Sequence, residues 1–105
     1  MTIDQLKGIL SAVDPNIRRH FTTDETENFT VWGETRRIFY HADNRNTEVG
    51  FAFSVHRYTR LEDDPMVDAL YAALNGAADS TVKWETEPIP AYGYIHHTLS
   101  CTCLL

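Results

Sequence analysis

The sequence predicts an α+β fold: a mostly antiparallel β-sheet of about four to five strands, with two helices packed on one face. Three observations predict it. Thr47–Arg60 alternates as one long strand, with Val49, Phe51, Phe53 and Val55 on one face. Thr2–Val13 and Asp64–Leu74 carry helical periodicity behind recognisable start signals. The other apolar runs alternate and are joined by short polar or proline-containing links, as hairpins are.

Taken in order, Thr2 followed by Gln5 forms a capping-box pattern. Ile3, Leu6, Leu10 and Val13 then make an apolar stripe with Ile9 at its edge. Gly8 weakens this helix by about 1 kcal/mol, so it needs tertiary support. Asp14-Pro15-Asn16 ends it. Ile17 and Phe21 can anchor a short turn, and Thr22–Asn28 is a polar, acidic loop long enough to suggest mobility or an interface. Phe29–Gly33 and Arg36–Ala42 read as two strands, or one broken near Gly33. Asp43-Asn44-Arg45-Asn46 is a turn joining this region to the long strand as a hairpin.

The second face of the long strand holds Gly50, Ala52, Ser54 and His56. Small residues there predict a closely packed neighbour, most simply the helix that follows. In that helix Asp64 caps, Pro65 takes the first position, and Met66, Val67, Leu70, Ala73 and Leu74 recur at helical spacing before Asn75-Gly76 stops it. Thr81–Thr86 is a strand with Val82 and Trp84 inward. Glu87-Pro88-Ile89-Pro90-Ala91 cannot continue a central strand, because two prolines remove ladder donors. Gly93–Leu105 is the last strand. Ile95, Leu99, Cys101, Cys103 and Leu105 share a face with His97; Tyr94, His96, Thr98, Ser100 and Thr102 share the other. The expected core is Leu6, Leu10, Phe51, Phe53, Val55, Leu70, Leu74, Val82, Trp84, Ile95 and Leu99.

At 105 residues, 1–105 is a single domain with a modest core. No run approaches the ~20 apolar residues of a membrane span, and the N-terminus is amphipathic rather than basic and then apolar. These features point to the cytoplasm and to no membrane partner. The net charge of −6 argues against a phosphate-tracking surface, which needs clustered Lys and Arg; the pairs Arg18-Arg19 and Arg36-Arg37 are flanked by acidic or neutral residues. An acidic surface suits high solubility, or a passage to which DNA must not adhere.

The five histidines and two cysteines invite a metal or catalytic reading. In a strand, however, His96 and His97 point to opposite faces, and His97 lies ~13 Å from Cys101. Zinc ligands must all come within about 2.0–2.3 Å of one ion. Cys101 and Cys103 are ~6.8 Å apart along the strand, at the limit of disulfide geometry, so both are expected reduced and buried, with raised thiol pKa values. Glu62-Asp63-Asp64 complements a helix dipole more simply than it binds a cation. Glu34, Glu85 and Glu87 read as solvated strand positions. Trp32, Tyr40, Tyr58, Tyr92 and Tyr94 read as core-edge or interface aromatics. The residues alone therefore point to no catalytic site, no metal and no cofactor.

The order of elements is informative. A hairpin strand feeds through His56-Arg57-Tyr58-Thr59-Arg60 into Glu62-Asp63-Asp64-Pro65. The helix Met66-Val67-Asp68-Ala69-Leu70-Tyr71-Ala72-Ala73-Leu74 follows, then the strand Thr81-Val82-Lys83-Trp84-Glu85 and a late Tyr94-Ile95-His96-His97 strand. This order resembles the tail-terminator, or tail-completion, proteins of long-tailed phages and prophages, from the first helix to the last strand. The resemblance implies an α+β fold with helices against a mostly antiparallel sheet, and no catalytic residues. It implies a homo-oligomeric ring, typically a hexamer, that caps the tail tube, stops its growth and presents a surface to the head–tail connector. Its partners would be further copies of the chain, the tail tube protein and the connector protein, with DNA passing through unbound. Its place would be the host cytoplasm during assembly and then the virion tail. In such a ring Arg36, Arg37, Tyr58 and Arg60 are the expected contacts, and Asp24, Glu25 and Glu27 are expected to line the channel, although that loop matches no family motif. The alternative is a small enzyme or ligand-binding domain with a pocket between the sheet and the second helix, using His56 and His96.

Overall fold

The computed structural model describes residues 1–20, 28–42, 45–77 and 81–105. Helix α1 (Ile3–Val13) starts where the capping box closes: Thr2 Oγ1 accepts from the Gln5 N–H at 3.2 Å, and Gln5 Oε1 accepts from the Thr2 N–H at 2.8 Å. Asp14 ends it and accepts the Asn16 N–H at 3.0 Å. Strand β1 (Arg18–Arg19) pairs parallel with β2 (Phe29–Ala42). The two expected strands are one, with a register shift between Glu34 and Arg36 where a break was expected near Gly33. β2 pairs antiparallel with β3 (Arg45–Thr59) up to Ala42 opposite Arg45. The turn residues Asp43 and Asn44 lie outside the described residues, as do Phe21 and the loop with Asp24, Glu25 and Glu27.

Helix α2 (Pro65–Ala77) starts as expected, with Asp64 Oδ1 accepting from the Met66 N–H at 3.0 Å. It runs through Asn75-Gly76, which fall in its last turn rather than beyond it. Strand β4 (Lys83–Ile89) includes Pro88, and β5 (Tyr94–Leu104) returns antiparallel beside it. The sheet order is β1-β2-β3-β5-β4. Pro88 is tolerated because β4 is an edge strand, where the missing N–H breaks no central ladder. A four-residue turn, Pro90–Gly93, links β4 to β5, and Gly93 supplies its positive φ of 69°.

Both helices cover the face of Phe51, Phe53 and Val55, which bury with Leu6, Leu10, Leu70, Leu74, Val82 and Leu99. This corrects the expectation that a helix packs on the small-residue face. Large apolar side chains are what a helix stripe must cover, and the small side chains instead keep the opposite face flat. Gly50 still answers a close approach, because a Cβ there would sit 2.5 Å from the Cys103 carbonyl oxygen. The core also takes Trp32, Cys101 and Cys103. Trp84 is 38% exposed and Ile95 only half-buried, so neither is the core residue expected. Trp84 sits on the edge strand, which has no further strand beside it among the described residues.

One guanidinium fastens both helices to the sheet. Arg57 Nε donates to Asp64 Oδ2 at 2.9 Å, and its Nη1 donates to Thr30 Oγ1 at 3.1 Å and lies 3.7 Å from Asp14 Oδ2. Asp14 ends α1 and Asp64 starts α2. Burial works to raise the Asp64 pKa, but hydrogen bonds from Arg57, the Met66 N–H and Thr59, with the Arg57 charge, outweigh it and hold the carboxyl below its usual value.

Candidate functional site

The face away from the helices carries the most concentrated set of polar and aromatic groups. β2 brings Phe29 opposite Tyr58 of β3, and β5 brings His96 opposite Tyr58 and Thr98 opposite His56. The rings form a ladder across the strands. Phe29 and Tyr58 stack at 4.9 Å, and Tyr58 and His96 stack at 4.4 Å with their planes 3° apart. Tyr94 meets Phe29 and Tyr58 edge-on, and the Arg60 guanidinium lies 4.8 Å from the Tyr94 ring centroid.

His56 Nδ1 lies 2.8 Å from His96 Nε2 with the ring centroids 5.1 Å apart. Those two distances together require the rings to meet end to end, which is the geometry of an N–H···N hydrogen bond. Two lone pairs converging on a metal would need the rings angled toward a third point. One nitrogen donates and the other accepts, with Thr98 Oγ1 within 3.4 Å of both. The His56 pKa is lowered by burial and then by the neighbouring His96 charge; His96 is lowered by burial, against a smaller opposing pull from Glu87. The pair lies on the face opposite α2. The pocket expected between the sheet and the second helix, built on His56 and His96, is therefore corrected: alternation along β3 and β5 carries both rings away from that helix.

His97 takes the helix side instead. It is buried, and its Nδ1 accepts from Trp84 Nε1 and faces Thr86 Oγ1, each at 3.1 Å. The neutral ring therefore carries its proton on Nε2, which is buried and has no hydrogen-bond partner among the described residues. Burial lowers its pKa, and the opposing pull of Asp64 does not restore it. Cys101 and Cys103 are buried and in no disulfide, and burial, with Cys103 beside it, pushes the Cys101 thiol up to about 12. Among the described residues no three His, Cys, Asp or Glu side chains gather as metal ligands, and no helix is long and apolar enough to cross a membrane.

Beyond the ladder the uncovered face is flat and small: Ser54 and Ser100 hydrogen-bond at 3.1 Å between Ala52 and Thr98. At one margin Glu85 and Glu87 of β4 flank a hollow of about 80 Å³ with Thr86, His96 and Thr98. At the other margin stands Arg36, opposite Ala52. The four expected contact residues do not form one patch. Arg36 and Arg37 flank the root of the β2–β3 hairpin, whose Phe39 and Tyr40 are exposed, with Arg37 Nη1 3.4 Å from Glu48. Tyr58 and Arg60 lie at the opposite end, some seven residues along β3 from the Arg37 level, or ~23 Å.

The Arg57–Asp14–Asp64 group escaped the sequence reading. Its signal was present: Arg57 continues the alternation Phe51, Phe53, Val55 onto the buried face. No protein-family model matches the chain, and no curated protein matches it.

Proposed function

We propose that the chain is a structural assembly protein, the tail terminator of a long-tailed phage or prophage, acting as a homo-oligomeric ring without catalysis. The observation that carries the reading is a sheet that, among the described residues, has helices on one side only, with stacked aromatic rings and hydrogen-bonded hydroxyls on the other. Three histidines hydrogen-bond within the fold: His56 with His96, and His97 accepting from Trp84. A flat surface with aromatics and an exposed Arg60 offers area for a protein neighbour. The net charge of −6 favours a passage from which DNA is repelled. The element order read from the sequence supplies the identity of the neighbours: further copies, the tail tube protein and the head–tail connector, met in the host cytoplasm and kept in the virion tail.

Deletion of the gene in its phage, complemented by the wild-type chain or by a Tyr58→Ala/Arg60→Ala variant, tests this. Electron micrographs of the lysate should show tails of uncontrolled length and heads without tails after deletion, corrected by the wild-type chain. Normal tails joined to heads after deletion would refute the assignment.

A further inference from the structure

We propose that copies of this chain associate by pairing the outer edge of β2 in one copy with the outer edge of β4 in the next, continuing the sheet from subunit to subunit. The inference names the self-contact that the ring reading requires, and its test is independent of any place in a tail. Both edges are open. β1 covers β2 only at Val31 and Trp32, so among the described residues Glu34–Ala42 has no strand on its outer side. Residues 83–88 of β4 are exposed throughout, and its outer side likewise has none. Unpaired edges are templates for another chain.

Charge selects which edges meet. The β2 edge presents Arg36 and Arg37, the latter 3.4 Å from Glu48, and the β4 edge presents Glu85 and Glu87 with Lys83, whose Nζ lies 3.0 Å from Glu85. Like edges repel on balance, β2 through Arg36 and Arg37 and β4 because its two glutamates outnumber Lys83; β2 with β4 brings net opposite signs together. Geometry agrees. Arg36 pairs with Ala52 and Glu85 with Thr98, so Arg36, Glu85 and Glu87 all stand on the uncovered face and would remain on one face of a continued sheet. Because β2, β3, β5 and β4 alternate in direction, β2 and β4 are antiparallel within a chain. Rotation about an axis along the strands preserves direction, so β2 meets the next β4 antiparallel with the helices still on a common side. Two different patches make a heterologous contact, which closes into a ring or propagates as a filament. Register shifts after Glu34 and after Ile38 bound a short regular stretch, Arg36–Ile38, on this edge.

Single-cysteine variants test the pairing directly. Arg36→Cys and Glu87→Cys are purified separately, mixed at equal concentration and oxidised, with the wild-type chain as background for the buried native thiols. The mixture should give about tenfold more cross-linked dimer than either variant alone. The Arg36→Cys/Glu87→Cys double variant should give a ladder of oligomers. Cross-linking of Arg36→Cys alone as readily as in the mixture, or no cross-link in a mixture concentrated enough to self-associate by sedimentation, overturns the pairing. A charge swap, Arg36→Glu against Glu85→Arg/Glu87→Arg, should weaken self-association about tenfold in each variant alone and recover it on mixing. Cross-links without any tail phenotype would leave the pairing standing and remove the phage reading. Tail defects on deletion without cross-links would do the reverse.

Discussion

At the scale of single residues, two buried polar groups decide more than any exposed one. Arg57 is 9% exposed and holds Asp14 and Asp64 together. Arg57→Met leaves two carboxylates buried without their cation, and urea denaturation should show a loss of ~3–5 kcal/mol. Asp64→Asn, which keeps an acceptor for the Met66 N–H, should cost less. Histidines set the pH response. His56, His96 and His97 all have folded pKa values below the usual 6.5 of the unfolded chain. Below 6.5 the unfolded chain takes up protons that the folded chain refuses, so stability is greatest above 6.5 and falls as the pH drops toward the folded values. For His97 the cause is concrete: a proton on Nδ1 would face the Trp84 indole N–H it now accepts. Melting temperatures measured between pH 7.5 and 5.5 should fall, and a His97→Phe variant should fall less steeply. A wild-type melting temperature that rises on acidification would contradict the burial assigned to these rings.

At the scale of elements, what was legible followed local rules. The capping box of α1 needs only Thr2 and Gln5, and the start of α2 needs only Asp64-Pro65; both formed where their residues stand. The alternation of β3 placed Phe51, Phe53 and Val55 correctly in the core. Which face the helices cover was not local information, since Gly50, Ala52 and Ser54 are as compatible with a bare flat face as with a close neighbour. Trp84 was misplaced for a related reason: inward and outward are defined along a strand, whereas burial depends on a strand's position in the sheet, and β4 is an edge. The two aromatics therefore make a paired test. Phe53, 1% exposed on the central strand, should cost ~3–5 kcal/mol as Phe53→Ala. Trp84→Ala removes a 38% exposed ring lying 5.3 Å from Tyr71, and its cost should be clearly smaller. Equal losses in chemical denaturation would mean that the edge strand is packed as tightly as the centre.

At the scale of the whole molecule, the 52 Å long dimension follows from β3 itself, whose 15 residues span ~50 Å when extended. β3 is flanked by β2 and β5 from Gly50 to Thr59, and the Leu105 N–H donates to the Val49 carbonyl at 2.9 Å; before Val49, among the described residues, only β2 accompanies it. The paired segments Phe39–Ala42 and Arg45–Glu48 therefore have ladder hydrogen bonds on one side alone among the described residues. A two-stranded ribbon without a packed face is marginal in water, whereas the centre opens only with the whole fold. Amide hydrogen exchange of the dilute protein should be slowest at Phe51–Val55 and Leu99–Cys103 and fastest, within the sheet, between Phe39 and Glu48. Concentrating the protein until copies associate adds a second, sharper expectation. If β2 and β4 edges pair between subunits, amides of Arg36–Tyr40 and Glu85–Glu87 should slow together while Phe51–Val55 stay unchanged. Raising the salt should reverse the effect, because the opposed charges are exposed and screened within ~8 Å at physiological ionic strength. Protection appearing along Ser54–Tyr58 instead would place the contact on the uncovered face, and protection of one edge without the other would leave β2 and β4 unpaired.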